Sequence, residues 1–118
     1  MRSIRERQRF ARGKGPRELR GTVDDDPSGL AAIRLRLTRT TGKVCTTYDG
    51  EAEAFKAMKK CGAARGRWFT IGTTADWTYL LPSKLGRGRY VLDLQVVDKA
   101  GNTTRLARGA TRVVFTVA

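Results

Sequence analysis

The sequence predicts an all-β fold, an antiparallel sandwich of seven short strands, and three observations lead there. Apolar and polar residues alternate with period two in several separate runs. Those runs are about five to eight residues long, as strands in small domains are. Clusters of Gly, Pro, Asp, Asn and Ser stand between them, the residues that turns require. With 118 residues the chain is one domain's worth and can bury a real core. A barrel carrying a small helix is the alternative architecture.

The elements follow in order. Residues 1–17 hold Gly13, Lys14, Gly15 and Pro16 and little apolar periodicity, so they read as a basic linker or flexible tail. The sandwich is then expected over residues 18–118. Leu19–Val23 is the first strand, and it leads into Asp24, Asp25, Asp26, Pro27, Ser28 and Gly29. The last four of these match a type I turn. Residues 31–38 place Ile33, Leu35 and Leu37 on one face and Arg34, Arg36 and Thr38 on the other, the mark of a half-buried antiparallel strand. Thr41-Gly42 turns the chain into a strand over 43–48, which carries Cys45.

Between residues 51 and 60 the period changes, and a short helix is predicted. Asp49, Glu51 and Glu53 come first, Lys56, Lys59 and Lys60 last, and Gly62 lies just beyond, an order that complements a helix dipole and supplies a C-cap. Phe55, Met58 and Cys61 would share one face of it and press onto the sheet that holds Cys45. Strands over 67–71, 77–81, 90–97 and 111–117 complete the set, the last with Val113, Phe115 and Val117 pointing inward.

Charge and cysteine content narrow the function classes. The net charge is +13, of which the first twenty residues carry +6 from eight basic residues and two glutamates. Such a balance fits an acidic partner or an arginine-rich solvated surface. The chain has no histidine, which removes Ser-His-Asp and Cys-His catalysis and every His-containing zinc site. Its two cysteines, Cys45 and Cys61, do not form a C-x-x-C redox pair and cannot make a Cys₄ site. A structural disulfide and two inert buried thiols both remain open. No apolar run reaches the ~18 residues that span a membrane. The basic start lacks the apolar stretch of a signal peptide.

The stretch from Leu85 to Asn102, LGRGRYVLDLQVVDKAGN, resembles the last third of bacterial immunoglobulin-like and fibronectin-III-like modules. Those modules show a Leu, a Gly-containing corner, a Tyr opening strand F, alternating apolar residues and an Asp-x-x-Gly-Asn turn. Asp26 to Ala31 and Trp77 to Pro82 are similar to modules of secreted, multidomain, actinobacterial-type proteins. The resemblance covers residues 18–118 and implies an immunoglobulin-like sandwich with Tyr90 as a tyrosine corner, its hydroxyl bonded back to the backbone. It departs from antibody-type domains, because the strands at Ile33–Leu37 and Tyr90–Val97 hold no cysteine. With the resemblance in view, Cys45 and Cys61 are expected to form a disulfide that pins the intervening excursion, matured in an oxidising compartment.

Specific sites are weighed on this frame. Calcium would need Asp24, Asp25 and Asp26 on one turn with Asp98 and Asn102 on another. In a seven-strand sandwich those turns are expected at opposite poles, so they would meet only across a junction between modules. A polyanion or nucleic acid would use Arg65, Arg67, Arg87 and Arg89, with Trp68 and Tyr90 as stacking surfaces. Against that, Trp68, Phe69 and Tyr90 are expected to serve the core. Asp93 and the Asp24–Asp26 group lack an identifiable acid–base partner, so no catalytic residue is assigned. The expected role is a non-catalytic structural, spacer or adhesion module of a secreted or cell-surface bacterial protein, without a cofactor. Its partners would be neighbouring domains or a surface ligand rather than nucleic acid. A basic polyanion-binding domain is the alternative.

Overall fold

The computed structural model describes residues 3–23 and 29–118. Among the described residues nine strands form: β1 (Arg9–Phe10), β2 (Glu18–Thr22), β3 (Leu30–Thr41), β4 (Val44–Asp49), β5 (Ala54–Ala57), β6 (Trp68–Gly72), β7 (Asp76–Leu80), β8 (Gly88–Asp98) and β9 (Arg112–Val117). β2, β3, β4, β6, β7, β8 and β9 are the strands expected from the alternation. β1 and β5 are additional. The strands make a large sheet in the order β1-β9-β8-β3-β4-β5, with β6 also on β3, and a small sheet of β2 and β7. The predicted all-β sandwich is therefore the observed architecture.

β3 organises the large sheet. Its twelve residues pair with β8 along one edge, while the other edge is divided. Ile33–Arg36 pair with β6, and Thr38–Thr41 pair with β4. A register shift between Ile33 and Arg34 accommodates β6. The pleat sends Ile33, Leu35 and Leu37 inward with Tyr90, Leu92 and Leu94 of β8 and Val113, Phe115 and Val117 of β9, all buried. Leu19, Trp77 and Leu81 close the core from the side of the small sheet. Burying each such side chain contributes ~1.5–3 kcal/mol.

Three expectations need correction. Residues 1–17 are not a detached tail. Ile4 is buried in the core, β1 pairs in parallel with β9, and the Phe10 ring meets Phe115 edge-on at 5.9 Å. Two apolar side chains among many charges show no periodicity, yet they suffice to dock the segment and cover the β9 edge. The helix expected over residues 51–60 is also absent. Asp49 Oδ1 accepts the N–H groups of Glu51 and Ala52, Glu53 takes a positive φ of 52°, and the chain reverses into β5 against β4. The helical signals are each worth tenths of a kcal/mol in a segment too short to be helical alone. Pairing with the open edge of β4 satisfies the same backbone groups and packs Phe55 on Tyr48.

The third correction concerns the poles. β3 is antiparallel to β8, so Leu30 lies opposite Asp98, and Lys99 N–H donates to the Gly29 carbonyl at 3.1 Å. Gly29, immediately before β3, and the turn following β8 therefore share one pole, whereas the sequence places residues 26–29 and 98–102 at opposite ones. Residues 24–28 lie outside the described residues. β2 belongs to the small sheet and β3 to the large one, a division that sequence alternation does not reveal.

Candidate functional site

The outer face of the large sheet carries the polar half of every alternation and holds most of the residues singled out from the sequence. Its central row crosses four strands. Arg112 of β9, Asp93 of β8, Arg36 of β3 and Trp68 of β6 stand side by side in register. Arg36 Nε and Nη2 donate to Asp93 Oδ2 at 3.0 and 2.7 Å. Arg112 Nε donates to Oδ1 at 2.6 Å and its Nη2 to Oδ2 at 2.9 Å. Asp93 is fully buried, and Arg36 is only 6% exposed. The far side of the Arg36 guanidinium lies 4.3 Å from the Trp68 ring centre, a cation–π contact.

This arrangement settles the chemistry of Asp93. Both of its oxygens accept from charged donors, and hydrogen bonding to the carboxylate raises the Arg112 guanidinium above its ordinary value. Asp93 thus ties β3 and β9 together through two guanidinium groups, a structural role for the side chain. Trp68 also corrects an expectation, for it faces outward onto Arg36 while Phe69 faces the core beside Tyr48.

Residues 58–67 fold back over this face as a cover. Cys45 of β4 and Cys61 are joined by a disulfide with Cα atoms 5.4 Å apart, and Met58 N–H donates to the Cys45 carbonyl at 3.1 Å. A single turn of 3-10 helix, Ala63–Arg65, follows, and Arg67 N–H donates to Thr47 Oγ1 at 2.9 Å. Gly66 lies so close to the sheet that a Cβ there would come within 2.5 Å of the Thr38 side chain and 3.1 Å of Arg36. Thr38, Thr47 and Arg36 are buried beneath this cover. The expected disulfide thus forms by a different route. Phe55 points to the core and Cys61 to the opposite face, rather than the two sharing a helical side.

The four arginines weighed as a polyanion surface separate into two groups. Arg65 and Arg67 line an open groove of about 440 Å³ with Lys56, Lys59 and Lys60 at the base of the β4–β5 hairpin. Arg87 is placed at the pole near β9's end, where its carbonyl accepts the Arg39 guanidinium. Arg89 lies on β8 opposite Thr40 and is exposed. The order of the three lysines after the acids suits a helix dipole, and nothing in that local pattern signals their convergence. Only the hairpin's return under the disulfide brings them together.

At the shared pole, Asp98 Oδ1 accepts the Asn102 N–H at 2.8 Å and Oδ2 accepts the Asn102 side-chain amide at 3.0 Å. Gly101 takes the left-handed conformation, φ 88°, that closes the turn. Asp24, Asp25 and Asp26, the other carboxylates weighed for calcium, lie outside the described residues. Among the described residues no three acidic, Cys or His side chains group as metal ligands. At the opposite pole the Tyr90 hydroxyl donates to the Gly86 carbonyl at 2.7 Å, and the ring stacks on Phe115 at 5.1 Å. Burial raises the Tyr90 phenol above its ordinary pKa. This is the corner that the resemblance implied.

Comparison with known proteins agrees with this geometry. No curated protein and no solved structure matches the chain. The family model described as a bacterial Ig-like domain matches residues 6–113, a span that runs from the docked N-terminal segment to the first residues of β9. The chain belongs to the bacterial Ig-like domain family.

Proposed function

We propose that this domain is a non-catalytic structural or adhesive module of a secreted or surface-attached bacterial protein. The observation that carries the reading is the Cys45–Cys61 bond clamping a cover onto the outer face of an Ig-like sandwich. Structural disulfides persist in oxidising compartments, outside the cytosol. The buried ionic row supports the same reading. It spends its charges on holding four strands in register and leaves no acid–base pair facing solvent.

The reading is tested by thiol alkylation of the protein collected from its own cells, with surface and cytosolic fractions kept apart. No reactive thiol and recovery in the exterior fraction are expected. Two freely alkylated cysteines in protein from its native compartment would overturn the extracytoplasmic assignment.

A further inference from the structure

The groove at the base of the β4–β5 hairpin concentrates positive charge in a way that neither the fold nor the disulfide requires. Lys56, Lys59, Lys60 and Arg65 line it with Arg67. Among the described residues, the only one of the five in an ion pair within 4 Å is Arg67, whose Nη1 reaches Asp49 Oδ2 at 3.1 Å. Asp49 also feels the charge of Lys56. The remaining acids of the hairpin, Glu51 and Glu53, lie at its tip beyond the groove. All five cationic side chains are exposed.

Like charges gathered in a concave site repel one another, and their cost is offset when an anion enters. The backbone beneath them is fixed by the disulfide and by the Met58-to-Cys45 hydrogen bond, so little ordering remains to oppose binding. We propose that this groove binds a linear polymer carrying phosphodiester charges, in the manner of a polyol-phosphate chain. Apart from the cations the lining is Thr47, Ala57 and Met58, with no aromatic ring on which a base could stack. A base-free phosphate polymer therefore uses everything the groove offers. The choice of a surface polymer over nucleic acid rests on the module reading above, whereas the anion site itself rests on the groove alone.

Inorganic polyphosphate is the probe, titrated against the full chain over a series of salt concentrations. With four or five phosphates engaged, log affinity should fall with log salt at a slope of about −3. Lys59→Glu with Lys60→Glu should weaken binding by at least about tenfold and bring the slope to about −1.5. Arg12→Glu with Lys84→Glu, at the far pole, makes the same change in net charge and should leave affinity within about twofold. Unchanged unfolding midpoints for both variants show that the fold is retained. Equal losses in the two variants, or no binding to the unaltered chain, would overturn the anion site. A mixed-sequence single-stranded oligonucleotide bound more tightly than polyphosphate would overturn the base-free ligand class while leaving the thiol experiment unaffected.

Discussion

The inner and outer faces of the large sheet use opposite chemistries on the same strands. Inward, β3, β8 and β9 present Leu37, Leu92 and Val113 in one row, and one position away they present Arg36, Asp93 and Arg112 in another. Both rows are buried on at least two of their three members. The inner row is covered by a second sheet, and its contribution is non-directional area removed from water. The outer row is covered by side chains and by a loop held through a disulfide, and its contribution depends on every donor finding an acceptor. An apolar face tolerates adjustment, whereas an ionic one fails when a single partner is lost.

The largest effect that separates the faces is expected from Asp93→Ala. It leaves Arg36 buried with its main acceptor removed, and breaking a buried pair in this way costs ~3–5 kcal/mol. Denaturant unfolding measures it, and a loss under 1 kcal/mol would show that the outer row is solvated. Replacing Arg36, Asp93 and Arg112 together with Met, Leu and Met sharpens the point. Stability should be regained to near the starting value, because packed apolar residues substitute for buried ions without their desolvation cost.

Removing the clamp comes next. Cys45→Ala with Cys61→Ala frees a loop of fifteen intervening residues and should lower stability by ~3 kcal/mol in the chain-entropy account. Thermal unfolding with and without reductant gives the same comparison on the unaltered chain. Tyr90→Phe is smaller. It keeps the ring on Phe115 but removes the bond to Gly86, a loss of ~1 kcal/mol, and an unchanged midpoint would remove the corner.

The smallest effect is expected at the N-terminal segment. Glu6 Oε1 accepts the Val114 N–H at 2.8 Å, and its Oε2 accepts Arg108 Nε at 2.5 Å. The Arg108 bond, followed by the Val114 N–H, holds its carboxyl below the usual range. A depressed carboxyl stabilises the folded state above the unfolded value of about 4.3 and loses that contribution as pH falls through the folded one. The protection factor of the Val114 amide, its exchange rate relative to the intrinsic rate at the same pH, should therefore fall as pH drops through the depressed Glu6 value, and Glu6→Gln should remove that dependence.

These differences also explain what the sequence made legible. Alternation is a local property fixed by the pleat, so Ile33, Leu35 and Leu37 could be placed inward before any partner strand was known. The Asp98–Asn102 turn was equally local, since Gly101 and the Asp side chain carry its geometry within five residues. The outer row was not legible, because Arg36 and Asp93 are 57 residues apart and only pairing brings them together. The same holds for β5, whose helical signals were genuine but weaker than an open strand edge distant in the fold. Ile4 and Phe10 gave no period to read. The basic groove stayed hidden because its lysines served another purpose in the helical reading.

Native-state hydrogen exchange, with the disulfide intact and then reduced, tests the central claim that a covalently clamped cover completes the outer face. Reduction should speed exchange at Met58 and Arg67, whose N–H groups bond to Cys45 and Thr47, while amides of the β8–β9 pairing keep their protection. A uniform loss across both regions, or no change at Met58 and Arg67, would contradict it.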